Sequence, residues 1–277
     1  MRRFAAAGIA CAAFCVAAVL FAGAPSKSTD PGFREPRGVE PPVSYLLLDA
    51  RSGAVLESRW PAMNQAMPPG SLVKPFTALA YAQTHCYRYP EFECRGESAG
   101  CWWPAGHGRI GIEAAVSHSC NVYFGLLAER VDHGALSAVA WRFGIPAPLA
   151  NAPTGAYVGL GDVWRSAPLA LARAYLELVR RQAEPGVAPL LDGMRQSAET
   201  GTGRGVGAGS RGLPAWAKTG TAPCVHQPAS NGDGYAMVIY PAPRPRYVLL
   251  IQRHGVPGRL AAVAAGGMLA DLERGIR

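Results

Sequence analysis

Strand-like patterns stand at both ends of the chain, with helix-like patterns between them. Residues 44–60, SYLLLDARSGAVLESRW, hold two short apolar runs around Asp49-Ala50-Arg51-Ser52-Gly53, which predicts a hairpin. From about Ser71 to Arg181, stretches such as IEAAVSHSCNVYFGLLAERV and APLALARAYLELVRR carry helical periodicity, broken by Gly- and Pro-rich connections. Near the end, GYAMVIYPAPRPRYVLLIQRHG gives two strand-like runs around Pro241-Ala242-Pro243-Arg244-Pro245, and GRLAAVAAGGMLADLERGI an amphipathic helix. The expected fold class is α+β: an antiparallel sheet formed from both termini, flanked by helices, with an inserted, mostly helical lobe.

The first 24 residues read differently. MRRFAAAGIACAAFCVAAVLFAGA joins Arg2 and Arg3 to roughly twenty uncharged residues, the pattern of a signal peptide or a single membrane anchor. Ala22-Gly23-Ala24 offers small residues for cleavage, but Pro25 follows at once, which favours an uncleaved anchor with its arginines on the cytoplasmic side. Residues 25–42, PSKSTDPGFREPRGVEPP, read as a linker, leaving 43–277 as the folded domain. The expected location is the bacterial inner membrane with the domain in the periplasm, or the periplasm itself if the segment is removed.

Composition narrows the function classes. The chain of 277 residues is about half apolar, enough for a sizeable core. Its net charge of +8 is spread over scattered arginines with no basic run and no aromatic-interleaved stripe, so nucleic acid is not an expected partner. An exported basic protein fits a place beside anionic lipids and envelope polymers.

Ser71 and Lys74 in PPGSLVKPFTALA stand three apart, and on a helix starting near Gly70 they share a face. A neutral lysine can take a serine's proton, but only if burial or a second cation lowers its pKa. By itself the pair is equally consistent with a capped helix. SHSCNVYF adds Ser119 and Asn121 two apart, as a short loop before a helix would, and AWAKTGTAP adds Lys218-Thr219-Gly220-Thr221 in a strand-like context. Lys218 is the candidate second cation.

These three motifs, in this order, resemble those of the penicillin-binding serine transpeptidases and the serine β-lactamases. Together with CWWPAGHGRIGIEAAVSHSCNVYF and PLLDGMRQSAETGTGRG, they look like the transpeptidase domain of class B penicillin-binding proteins of the elongation type, from about Val43 to the end. The resemblance implies a peptidoglycan D,D-transpeptidase acylated by β-lactams. In it Ser71 attacks the penultimate D-alanine carbonyl of a stem peptide and Lys74 accepts its proton. Ser119 shuttles protons between Lys74, Lys218 and the leaving amine, and Asn121 orients substrate and lysine. Lys218, Thr219 and Thr221 hold the terminal carboxylate, Gly220 admits the substrate backbone, and the N–H groups of Ser71 and Thr221 form the oxyanion hole. Implied partners are peptidoglycan stem peptides, β-lactams, the inner membrane and other cell-wall synthesis proteins.

The sequence departs from the family in lacking the usual non-catalytic domain before residue 43 and in a short segment between Lys74 and Ser119. It also shows Gly159-Leu160-Gly161-Asp162 where the family has Gly-Gln-Gly. Alternatives within the chemistry are a D,D-carboxypeptidase and a β-lactamase, although no Glu-x-x-Leu-Asn deacylation loop is visible. From another class comes a non-catalytic penicillin-binding sensor or scaffold.

Five cysteines follow the N-terminal segment: Cys86, Cys94, Cys101, Cys120 and Cys224. Export makes disulfides the default, with an odd one left over. Cys94, Cys101, His107 and Cys120 also form a tetrahedral zinc set, with Cys86 as a substitute for Cys94. Some elongation-type relatives carry a metal at matching positions, which implies structural zinc here and no cofactor for catalysis. A Cys94–Cys101 disulfide is the alternative.

Other signals carry less. Gly207-x-Gly209-x-x-Gly212 has no strand before it and no helix-forming run after it, and reads as a loop rather than a dinucleotide fingerprint. His85, His118, His133, His226 and His254 show no metal-ligand spacing with one another, and no Gly-x-Ser-x-Gly elbow exists. Trp102, Trp103, Tyr123 and Phe124 read as core packing.

Overall fold

The computed structural model describes residues 43–224 and 232–275. The expected anchor and linker, residues 1–24 and 25–42, lie outside the described residues. Among the described residues, no helix is long and apolar enough to cross a membrane.

The elements, in chain order, are β1 (Ser44–Asp49), β2 (Val55–Ser58), α1 (Lys74–Thr84), β3 (Phe92–Cys94), β4 (Gly108–Ile110), α2 (Ile112–Ser117), α3 (Asn121–Ala128) and α4 (His133–Arg142). There follow α5 (Pro168–Arg180), α6 (Val187–Glu199), α7 (Arg204–Gly209), β5 (Trp216–Ala222), β6 (Asp233–Tyr240), β7 (Tyr247–His254) and α8 (Gly258–Glu273). The sheet runs β2-β1-β7-β6-β5, and every pair in it is antiparallel. The sheet is therefore assembled from the two ends of the described chain, and the helical lobe is inserted between β2 and β5, as the alternating pattern predicts.

Side chains alternate across a strand, and two cores result. Leu46, Leu48, Met237, Ile239, Val248 and Leu250 belong to the core that includes the helical lobe. Leu47, Ala236, Val238, Leu249 and Ile251 pack in a second core with Ala261, Ala262, Ala265 and Leu269 of α8. Helix α1 is buried from Lys74 to Ala82, the behaviour of a helix that is apolar nearly all round. Phe76 on it lies 5.2 Å from the Phe143 ring and 5.5 Å from that of Tyr175.

Two expectations are corrected here. The glycine-rich stretch after Gly203 is not a plain loop: residues 204–209 form α7, which packs on α8. A Cβ at Gly209 would meet Gly266 O at 1.8 Å, and one at Gly266 would meet Gly205 O at 2.1 Å. Glycine lets the two helix backbones touch, and that packing overrides its poor helix propensity. Trp102 and Trp103 are not core residues: they are 40% and 39% exposed, whereas Tyr123 and Phe124 are fully buried. Neighbouring Cys101 turns inward instead, and the Trp102 indole N–H donates to the His118 carbonyl at 3.0 Å on the outside.

Candidate active site

Ser71 lies in a single 3₁₀ turn, Gly70–Val73, ahead of α1, so Lys74 opens the helix proper. The Lys74 backbone N–H donates to the Ser71 carbonyl, and the buried Tyr175 hydroxyl donates to Leu72 O at 2.7 Å. Both contacts fix the turn from below. From above, Gly70 has φ +56°, and a Cβ there would meet Thr221 O at 2.5 Å; one at Gly159 would meet Gly70 O at 2.0 Å. The serine turn is thus clamped between the Lys-Thr-Gly-Thr strand β5 and the Gly159–Asp162 loop. The second clamp was not legible as a contact in the sequence.

The helical pattern around Ser119 is broken by a short loop ahead of a new helix, as the Ser119–Asn121 spacing suggests. Helix α2 ends at Ser117, Ser119 takes a left-handed conformation with φ 52°, and α3 begins at Asn121 with Cys120 as its N-cap. A non-glycine residue in that region is strained, and such strain clusters at functional sites. The kink brings Ser119 and Asn121 to the same amine. Lys74 Nζ donates to Ser119 O at 2.8 Å and to Asn121 Oδ1 at 2.7 Å.

Lys218 reaches the same loop from β5. Its Nζ donates to Ser119 Oγ at 2.7 Å and to Thr219 O at 2.7 Å. Both lysines are fully buried. Burial pushes the Lys74 amine down to about 7, against the pull of Cys120 and Cys101. Burial, and then the Lys74 charge, hold Lys218 well below the usual lysine range. A neutral Lys74 has two N–H bonds, both matched by acceptors, and a lone pair left to take a proton.

The expected carboxylate clamp is revised in one respect. Lys218 and Thr219 are buried, and the Thr219 hydroxyl donates to Thr202 Oγ1 at 2.7 Å. Exposed Thr221, whose Oγ1 accepts from Gly258 N at 3.0 Å, keeps a hydroxyl proton for an incoming anion. Thr202 was missed in the sequence: its N–H and hydroxyl both donate to Ser117 O, at 3.1 and 3.2 Å, so it ties β5 to the end of α2. Only its place in AETGTGRG hinted at a role.

Beneath the Ser119 loop, the side chains of Cys94, Cys101, His107 and Cys120 converge, with ligand atoms within 4.8 Å of one another. Cys101 Sγ is 3.9 Å from Cys120 Sγ, and His107 Nδ1 is 3.4 Å from Cys94 Sγ and 3.5 Å from Cys101 Sγ. A tetrahedron on Zn–S bonds of about 2.3 Å and Zn–N bonds of about 2.0 Å has edges of roughly 3.5–3.8 Å, so the donor set fits zinc. Burial, then His118 and Lys74, push His107 down to about 4, which keeps the imidazole neutral. The trio holds no disulfide, and Cys86 is exposed, away from the set. The short β3–β4 ladder, unforeseen in the sequence, ends on Cys94 paired with Gly108 and frames this pocket.

Comparison with known proteins places the chain. The family model for the penicillin binding protein transpeptidase domain matches residues 42–180, half of the chain, a span that holds Ser71, Lys74, Ser119 and Asn121 but not Lys218. No curated protein matches. Among solved structures, PBP2 of Pseudomonas aeruginosa in complex with WCK 5153 is similar, with a TM-score of 0.67 and 18% identity over 83% of this chain and 71% of that one. The transpeptidase domain of Burkholderia pseudomallei penicillin-binding protein 3 gives a TM-score of 0.65 and 16% identity over 85% and 88%. PBP2 of Helicobacter pylori, solved as a complex with MreC, gives 0.69 and 16% over 85% and 60%. At such identities the neighbours establish the shared fold, and the match over half of the sequence establishes kinship: the chain belongs to the penicillin-binding protein transpeptidase domain family.

Proposed function

We propose that this protein is a peptidoglycan D,D-transpeptidase that works through a Ser71 acyl-enzyme. The observation that carries the reading is the convergence of two buried lysines on Ser119, one on its carbonyl and one on its hydroxyl. Two desolvated amines within one hydrogen-bond network hold each other's protons weakly, which a lysine base requires.

Ser71 Oγ attacks the carbonyl of the penultimate D-alanine as its proton passes to the Lys74 lone pair. The N–H groups of Ser71 and Thr221, on segments in backbone contact, receive the developing oxyanion. The proton then travels from Lys74 by way of Ser119 to the leaving D-alanine amine, the C–N bond breaks, and the acyl-enzyme remains. An acceptor amine reverses the sequence and forms the cross-link. Thr221 binds the terminal carboxylate directly, while Lys218 polarises the Ser119 hydroxyl. β-Lactams acylate the same serine.

The Cys94, Cys101, His107 and Cys120 set holds structural zinc in this reading, tying the β3–β4 loop to the α3 N-terminus and steadying Ser119 without entering the chemistry. The N-terminal segment anchors the protein in the inner membrane, with the domain in the periplasm. The Helicobacter pylori complex supports cell-wall synthesis proteins as partners. The test is incubation of the protein with a fluorescent penicillin, alongside Ser71→Ala. Stable labelling of the parent and none of the variant is expected. No labelling of the parent would sink the acyl-enzyme, and rapid release of hydrolysed penicillin would make the protein a β-lactamase.

A further inference from the structure

A second set of ligating side chains lies at the far end of β5 and shares no residue with the first. The register of three neighbouring strands creates it. Ala222 pairs with Asp233, and Asp233 with His254. Directly opposed residues in a sheet present their side chains on one face, so the three stand in a row at the ends of β5, β6 and β7. Lys218 pairs with Met237 and Gly220 with Tyr235, so this is also the face that carries Lys218. Cys224 follows Ala222 by two residues.

The Cys224 thiol, the Asp233 carboxylate and the His254 imidazole offer ligand atoms within 4.8 Å of one another. Asp233 is 3% exposed and Cys224 5%. His254 Nδ1 lies 2.6 Å from Asp233 Oδ1, and Gln252 Nε2 donates to Asp233 Oδ2 at 3.1 Å. That leaves one carboxylate oxygen oriented from behind and the other turned to the imidazole, the support that a metal-binding carboxylate commonly has.

We propose that Cys224, Asp233 and His254 form a zinc site, with one thiolate, one carboxylate oxygen and one imidazole nitrogen as ligands and water in the fourth position. The mixed S, O and N donors suit a borderline-soft ion rather than calcium or magnesium, which take oxygen ligands. Binding converts the thiol to a thiolate and releases one proton. The His254 side chain is 40% exposed, which gives the ion an entry path. The site fastens the strand that carries Thr221 to the two strands beside it, three residues beyond Thr221 itself. It does not depend on the acyl-transfer reading, because its ligands belong to none of the three motifs.

The test is zinc content, by mass spectrometry of the full chain purified in detergent without chelator, for the parent, His254→Gln and Cys224→Ser. Each variant is expected to hold one equivalent less than the parent. Zinc titration of chelator-stripped protein should show an affinity at this site about 100-fold or more lower in His254→Gln, beyond what outer-shell changes cost. Should Cys224→Ser fail to fold, His254→Gln decides, since its side chain is partly at the surface. Zinc content and affinity in folded His254→Gln equal to the parent's would overturn the proposal, whatever the outcome of penicillin labelling.

Discussion

Lys218 Nζ sits 2.7 Å from Ser119 Oγ, two buried groups joined across 99 residues of chain. In the proposed mechanism Ser119 is the relay: its hydroxyl accepts from Lys218 and keeps its own proton to pass on, while its carbonyl positions the Lys74 amine 2.8 Å away. Ser119→Ala keeps the carbonyl and deletes the relay. Acylation by a β-lactam is expected to slow by about 10²–10³, within the range for a positioned proton-transfer group. Lys218→Gln should cost a similar factor. Stopped-flow acylation rates, with thermal melts to confirm folding, check this; rates within about threefold of the parent in both variants would remove the relay from the mechanism.

The pH dependence follows from Lys74, whose amine lies near 7 in the folded protein against an ordinary value of 10.5. Only the neutral amine accepts a proton, so the acylation rate should rise about tenfold per pH unit below about 7 and level off above about 8. The stability term has the same direction. Between pH 7 and 10.5 the unfolded chain binds a proton at Lys74 that the native state does not, so this group makes stability rise with pH across that window, and its cost is largest below 7. Lys218 contributes with the same sign. Lys74→Arg, charged at every accessible pH, should show no rise in rate. A parent profile flat from pH 5.5 to 8.5 would contradict a neutral-lysine base.

Removing zinc from the proposed Cys94 site should loosen the Ser119 loop without touching Lys218. An ion bound at a thousandfold over its dissociation constant stabilises by about 4 kcal/mol, so chelation is expected to lower the melting temperature by roughly 10 °C. Cys101→Ser, whose buried sulfur lies 3.5 Å from His107 and 3.9 Å from Cys120, should show the same loss, and in combination with His254→Gln it should show no further response to chelator. Melts that do not move with chelator, in protein whose zinc content is measured in parallel, would count against the clip.

Much of this site is legible in the sequence. Both hairpins follow from short apolar runs flanking turn residues, and the motif residues announce themselves because their chemistry works at fixed short spacings. Legibility ends where contacts are long-range. Thr202 acts through Thr219, 17 residues away, and the Cys224, Asp233 and His254 set exists only once β5, β6 and β7 are in register. Helix α7 was missed because propensity penalises glycine, while the structure uses the missing Cβ for helix contact. Trp102 and Trp103 look like core residues by composition, but adjacent Cys101 claims the inward direction.

The Gly159 clamp gives a prediction that separates position from chemistry. Gly159 has φ +77°, and an added Cβ would meet the Gly70 carbonyl oxygen at 2.0 Å and its carbon at 2.4 Å. Both obstacles are backbone, so no rotamer relieves them, and the left-handed conformation adds its own cost. Gly159→Ala is expected to destabilise by about 2–3 kcal/mol. It should also push the Gly70–Ser71 turn toward β5, where Gly70 already abuts Thr221, and so misalign the proposed nucleophile with its proposed oxyanion donors. Misplacement of this kind costs on the order of 10²-fold in rate. The pH midpoint for acylation should stay where it is, because Lys74, Ser119, Asn121 and Lys218 are untouched. Gly155→Ala is the control: an added Cβ there meets only Leu160 side-chain atoms, at 3.6 and 3.7 Å, and it should acylate at the parent's rate. Equal rates for both variants would show that the serine turn does not depend on the clamp.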